Sequence, residues 1–166
     1  MRTIKLVIFD RDGTLNYDLG YTHKPEDLKW LPGALETLKY LKERSVLVVV
    51  ATNQSGISRG LFSKSDVDNF HSKMEQEAIE NFGKIDRFYI CPHAPNLTGQ
   101  AICNCRKPNP GMLFSVLSDY DLKVEDILFV GNSPTDLLAA KAANIDFFMI
   151  RDPAADYGNL RKQLLC

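Results

Sequence analysis

Five short apolar runs, separated by helix-length amphipathic stretches, constrain this chain more than any other feature. Residues 5–9 (KLVIF), 46–51 (VLVVVA), 88–91 (FYIC), 127–130 (ILFV) and 147–150 (FFMI) are rich in Val, Ile and Phe. Bounded by Asp, Gly, Asn or Pro, they read as buried strands. Between them, Pro32 opens a helix with Leu35, Leu38 and Leu41 on one face. Ser63 starts a second, with Asp66 three residues on and Val67, Phe70, Met74 and Ala78 as its apolar stripe. Leu113, Val116 and Leu117 mark a third, and residues 136–143 a fourth that ends at Asn144. Residues 160–165 give a fifth. Strand and helix in alternation imply right-handed crossovers, a parallel sheet of about five strands and helices on both faces. The 166 residues suit one core, and no repeat or linker interrupts them, so residues 1–166 are expected to form a single α/β domain.

Composition narrows the function classes. A hydrophobic fraction of 45%, a charged fraction of 25% and a net charge of −1 describe a globular protein with no electrostatic call on nucleic acid or membrane. The longest apolar run, residues 46–51, is too short for a bilayer, and no basic and apolar leader precedes it. A cytoplasmic monomer acting on a small molecule is the expectation.

In a parallel α/β sheet the ligand sits beyond the carboxyl ends of the strands, at the switch point, so the residues after each apolar run matter most. After the first comes DRDGT, with carboxylates at Asp10 and Asp12. Such a pair suits either a solvated turn or a Mg²⁺ ion that offsets the repulsion. After the second, Thr52 and Asn53 offer a hydroxyl and an amide ahead of Gly56, either as a plain turn or as a cradle for phosphate oxygens. After the third comes a long loop holding Cys91, His93, Cys103 and Cys105 in C-x-H-x₉-C-x-C spacing. Four soft ligands in one polar loop fit a closed, structural Zn²⁺ site that would brace Arg106 and Lys107 just beyond it. A forked Arg and a point-charge Lys there suit phosphate. After the fourth, GNSPTD supplies Asn132 and Asp136, which would face Asp10 and Asp12 across the cation.

Taken together, these residues resemble the haloacid dehalogenase-like phosphatases. DRDGT looks like their first motif, Thr52 the second, Lys107 the third, and GNSPTD the fourth, whose usual form is G-D-x-x-x-D. The stretches NYDLGYTHKPEDLKWLPG, TNQSGISRG and CPH…CNCRKPNPGM resemble more narrowly the D,D-heptose 1,7-bisphosphate phosphatases of lipopolysaccharide precursor synthesis. The related histidinol-phosphate phosphatases share the zinc loop and CRKP.

The resemblance implies a Rossmann-like haloacid dehalogenase fold with a zinc-braced loop after the third strand. It implies Asp10 as nucleophile through an aspartyl-phosphate, and Asp12 as general acid and then base. Thr52 and Lys107 would bind the transferring phosphoryl group. Asp18, Gly20, Tyr21, Asn53, Gln54, Ser55 and Arg106 match stretches that hold substrate. Mg²⁺ would be held by Asp10, Asp12 and Asn132, with Asp136 acting directly or through water, and Zn²⁺ by Cys91, His93, Cys103 and Cys105. The implied reaction removes the 7-phosphate of a heptose bisphosphate. Histidinol-phosphate hydrolysis and a binding protein with weakened turnover are the alternatives. Asn132 supports the last, because an amide in place of the usual Asp removes one negative charge from the metal site, whether by natural drift or by design. Ser133 also departs, since some members carry Lys there. His23 falls within a matching stretch but equally suits a hydrogen-bonded surface position. His71 is expected on a partly exposed helix face.

Overall fold

The computed structural model describes residues 3–165, and Cys166 lies outside them. The chain runs β1 (Leu6–Phe9), α1 (Ala34–Glu43), β2 (Leu47–Asn53), α2 (Lys64–Glu80), β3 (Arg87–Cys91), α3 (Gly111–Tyr120), β4 (Ile127–Gly131), α4 (Pro134–Ala142), β5 (Asp146–Met149) and α5 (Pro153–Gln163). The strands form one sheet in the order β3-β2-β1-β4-β5, and every pairing is parallel.

Period-two alternation divides each strand between two cores. Val7 and Phe9 pack with Leu38, Leu41, Phe70, Met74, Tyr157 and Leu160, so α1, α2 and α5 cover that face. Leu6 and Ile8 pack with Leu113, Val116, Ala139 and Ala140 of α3 and α4 on the other. All four β1 residues are fully buried, which is why the strand reads as a continuous apolar run. Burial of each large apolar side chain contributes about 1.5–3 kcal/mol.

The helix ends explain where the structure departs from the sequence reading. α1 begins at Ala34, since Gly33 caps it in the left-handed region at φ 85°. A Cβ at Gly33 would lie 2.7 Å from the Tyr157 Cβ, so the glycine also lets α1 and α5 approach. α2 opens on the expected box: Ser63 Oγ accepts from the Asp66 N–H at 3.1 Å, and Asp66 accepts from the Ser63 N–H at 2.7 Å. Such a cap contributes about 1 kcal/mol. α4 starts two residues ahead of position 136, because Ser133 and Asp136 form a second capping box around Pro134. α5 starts well ahead of position 160. Asp156 accepts the N–H groups of Arg151 and Asp152 at 2.7 and 2.8 Å, and Pro153 presets the first turn. β2 runs two residues past position 51, because Thr52 and Asn53 pair with Ile90 and Cys91. β5 is shifted one residue toward the N-terminus from 147–150.

From β1 the chain steps outward to β2 and β3, then crosses back to β4 on the opposite side of β1. The connections therefore diverge above the carboxyl ends of β1 and β4, and a cleft opens there. No helix among the described residues is long and apolar enough to cross a membrane.

Candidate active site

That cleft has a volume of about 440 Å³. Asp10, Asp12, Thr52, Lys107 and Asn132 line it, and so do Asp18, Gly20, Tyr21, Asn53, Gln54 and Ser55. Arg106 does not line it; its guanidinium donates to the His93 carbonyl at 3.1 Å. β1 delivers Asp10, β2 delivers Thr52, and the turn after β4 delivers Asn132. The long loop after β3 brings Lys107 back across the sheet.

Lys107 is the electrostatic centre. Its side chain is 2% exposed, and its Nζ lies 2.7 Å from an oxygen of Asp10 and 2.7 Å from one of Asp136. It also donates to the Ala51 carbonyl at 2.9 Å. Burial alone would pull the ammonium down, but Asp10 and Asp136 outweigh it and hold the group above the ordinary lysine value. Burial is the largest influence on Asp10 and pushes its carboxyl up to about 7; Lys107 opposes this, and Asp136 and Asp12 reinforce it. Asp136 itself is buried. Its second oxygen accepts from the Asn132 and Ser133 N–H groups and the Ser133 hydroxyl, and its first lies against Lys107 at the cleft wall. Asn132 lies over the tight turn at Gly13, where a Cβ would sit 2.2 Å from the amide nitrogen.

Two residues matched to substrate recognition also hold the machinery in place. Asn53 donates to the Lys107 carbonyl at 3.0 Å and accepts its N–H at 3.1 Å, clamping the returning loop to β2. Gln54 donates to Asp12 at 2.9 Å and to Thr52 Oγ1 at 2.8 Å. His23 stacks on Phe62 with ring centroids 4.4 Å apart and bonds the Tyr21 carbonyl, which fixes the Asp18–His23 loop against α2's approach.

Sequence reasoning passed over Arg11 and misplaced His71. Arg11 is fully buried, and its guanidinium grips both oxygens of Asp12 at 2.9–3.1 Å. His71 is 4% exposed, against the expected partly exposed face. It stacks on Phe88 at 3.9 Å and places Nε2 3.2 Å from Arg11 Nη1. Burial, then the Arg11 charge, pull its imidazole down to about 3. It is therefore neutral and accepts from the guanidinium. The signal was available, since position 71 lies four residues beyond Val67 and three before Met74, on the buried stripe.

In the long loop, the Cys91, His93, Cys103 and Cys105 ligand atoms all lie within 4.8 Å of one another. Cys105 Sγ is 3.3 Å from His93 Nδ1 and 3.4 Å from Cys103 Sγ. One metal ion fits between four donors so arranged.

Residues 5–149 match the family model described as polynucleotide kinase 3 phosphatase. The chain is 40% identical to the D-glycero-beta-D-manno-heptose-1,7-bisphosphate 7-phosphatase of Haemophilus ducreyi, over 85% of this chain and 79% of that one. It is 35% identical to the corresponding alpha-anomer enzyme of Campylobacter jejuni, over 96% and 89%. A solved D,D-heptose 1,7-bisphosphate phosphatase from B. bronchiseptica, complexed with magnesium and phosphate, superposes with a TM-score of 0.87 at 32% identity, covering 98% of each chain. Shared sequence and shared fold along nearly its whole length make this chain a haloacid dehalogenase-like phosphatase, a member of the heptose-1,7-bisphosphate 7-phosphatase family.

Proposed function

We propose that this chain, acting as a monomeric single domain in the cytoplasm, is a Mg²⁺-dependent phosphomonoesterase. Its substrate is D-glycero-D-manno-heptose 1,7-bisphosphate, from which it removes the 7-phosphate in lipopolysaccharide core heptose precursor synthesis. The observation that carries this reading is the convergence of Asp10, Asp12 and Lys107 in one cleft, walled by the Asp18–Tyr21 and Asn53–Ser55 segments. A net charge of −1 disfavours a polynucleotide substrate, which needs basic surface along its backbone.

An Asp10 oxygen attacks phosphorus as the bond to the sugar oxygen breaks, and Asp12 gives that oxygen its proton. Water then attacks the aspartyl-phosphate and loses its proton to Asp12 while the bond from phosphorus to Asp10 breaks. Lys107 and Thr52 hold the phosphoryl oxygens. The Asp10 carboxylate, the backbone carbonyl of Asp12 and the side-chain carbonyl of Asn132 would be the hard oxygen donors for Mg²⁺, which leaves the Asp12 carboxyl free to carry the proton. Bound there, the cation neutralises charge on the phosphoryl oxygens.

The test compares phosphate release from heptose 1,7-bisphosphate and histidinol phosphate, for this chain and for Asn132→Asp. The heptose bisphosphate is expected to win in both. At limiting Mg²⁺ the Asp variant is expected to be faster, because the added charge raises metal affinity. Preference for histidinol phosphate overturns the substrate. Equal activity of both proteins across the Mg²⁺ titration overturns the assigned role of position 132.

The four-ligand cluster we assign to structural Zn²⁺, since Cys₃His leaves no open position for chemistry. Metal analysis is expected to find about one zinc per chain, retained through Mg²⁺ exchange. Cys103→Ser is expected to lose that zinc and, with it, the placement of Lys107. A zinc-free chain with full activity would refute the assignment.

A further inference from the structure

Arg11 occupies a position that the mechanism above does not use, between the catalytic carboxylate, the substrate loop and α2. Its Nε and Nη2 donate to both oxygens of Asp12. Nη2 also donates to the Thr22 carbonyl, and the Thr22 hydroxyl accepts the Leu19 N–H at 2.9 Å. Nη1 meets His71 Nε2 at 3.2 Å, and the guanidinium lies 4.5 Å from the centre of the Phe70 ring. A full guanidinium inside a core is costly unless all of its donors are used. Here the Nε and Nη2 fork is spent on Asp12, the second Nη2 N–H on Thr22 and one Nη1 N–H on His71, which places four of the five donors.

We propose that Arg11, braced by His71, is a positioning residue that fixes the Asp12 carboxylate and the Asp18–His23 loop in one frame. The inference rests on the phosphatase reading given above. A planar fork holding both oxygens restricts rotation of the carboxylate, while Gln54 and Asn16 donate to it from the other sides at 2.9 and 3.0 Å. His71 supplies an acceptor for Arg11 Nη1 in an apolar wall made by Phe70 and Phe88, and stacking on Phe88 holds that acceptor still. Because the same guanidinium holds the Thr22 carbonyl, a substrate that moves this loop also moves Asp12.

The test uses leaving groups that differ in their need for a proton. p-Nitrophenyl phosphate phosphorylates Asp10 without help from an acid, because nitrophenolate leaves as the anion. Hydrolysis of the aspartyl-phosphate still needs Asp12 to take a proton from water. An alkyl sugar phosphate needs Asp12 in both steps. Arg11→Met is therefore expected to give a burst of about one nitrophenolate per chain followed by slow turnover, reduced on the order of 10²-fold as for other misplaced catalytic groups. With the sugar phosphate the same variant is expected to be slow from the first turnover. His71→Phe keeps a ring against Phe88 but removes the acceptor, and is expected to show the same pattern more weakly. His71→Gln, which returns an acceptor, is expected to recover part of the rate. A merely structural role would scale both substrates down together and produce no burst. That outcome, or wild-type kinetics in both Arg11→Met and His71→Phe, overturns the inference. If the unaltered chain releases phosphate from neither substrate, the phosphatase reading falls and this one with it.

Discussion

Asp10→Asn is expected to abolish phosphate release, with a loss on the order of 10⁴-fold or more, because removing the proposed nucleophile disables groups that act as a unit. The residue follows a fully buried strand, faces the cleft and is held 2.7 Å from Lys107. An amide oxygen in its place cannot form the aspartyl-phosphate. The same substitution has a second, independent signature in stability. Burial and the Asp136 and Asp12 charges push the Asp10 carboxyl up to about 7 against Lys107's pull, so the folded state binds this proton more tightly than the unfolded state does. Native stability from this group is therefore full below the ordinary aspartate value and falls as pH rises toward 7. Asparagine has no such penalty. In magnesium-free buffer the variant is expected to match the parent chain near pH 4 and to melt higher near pH 8. An Asp10→Asn protein that still turns over substrate would remove Asp10 from its role. One that melts lower at pH 8 would show that the carboxylate is not strained.

Lys107→Met is expected to be less damaging to activity and far more damaging to the fold. The ammonium is shared by two buried carboxylates, and its removal leaves both uncompensated. Breaking a buried charge network in this way costs about 3–5 kcal/mol. For a chain of this size, that lowers the melting temperature on the order of 10 °C. Loss of the donor proposed for the phosphoryl oxygens is expected to lower kcat by about 10²–10³-fold in whatever protein remains folded. Lys107→Arg is not expected to rescue it. The buried ammonium is placed as a point charge between Ala51, Phe129, Asp10 and Asp136, and a planar fork cannot reproduce that placement. Unchanged melting of Lys107→Met would mean that the two carboxylates are relieved by some other group.

Much of the site was legible because strand-end chemistry is local. A run such as residues 5–9 announces its burial by composition, and the topology rule then says that Asp10 and Asp12 face a cleft. The Ser63–Asp66 box and the Cys91–Cys105 ligand spacing are short-range patterns of the same kind. Asn132 stood out through the family resemblance, whose fourth motif usually carries Asp at that position. The start of α5 was missed because its first turn is set by the Asp156 carboxylate reaching back to two N–H groups, with little apolar periodicity ahead of Tyr157. His71 was misplaced because a polar residue on an apolar stripe was assigned by its chemistry in preference to its period.

The parallel α/β order, the chemistry-bearing strand ends and the four-ligand loop are readable in the amino-acid order, because each follows from residue type at fixed local spacing. How those groups depend on one another emerges only in the folded chain. Lys107 meets Asp10 across 97 residues, Asn53 clamps the Lys107 backbone across 54, and His71 supports Arg11 across 60. Such pairings arise from the sheet order and from which buried donor is left needing an acceptor. Neither has a local spacing to betray it.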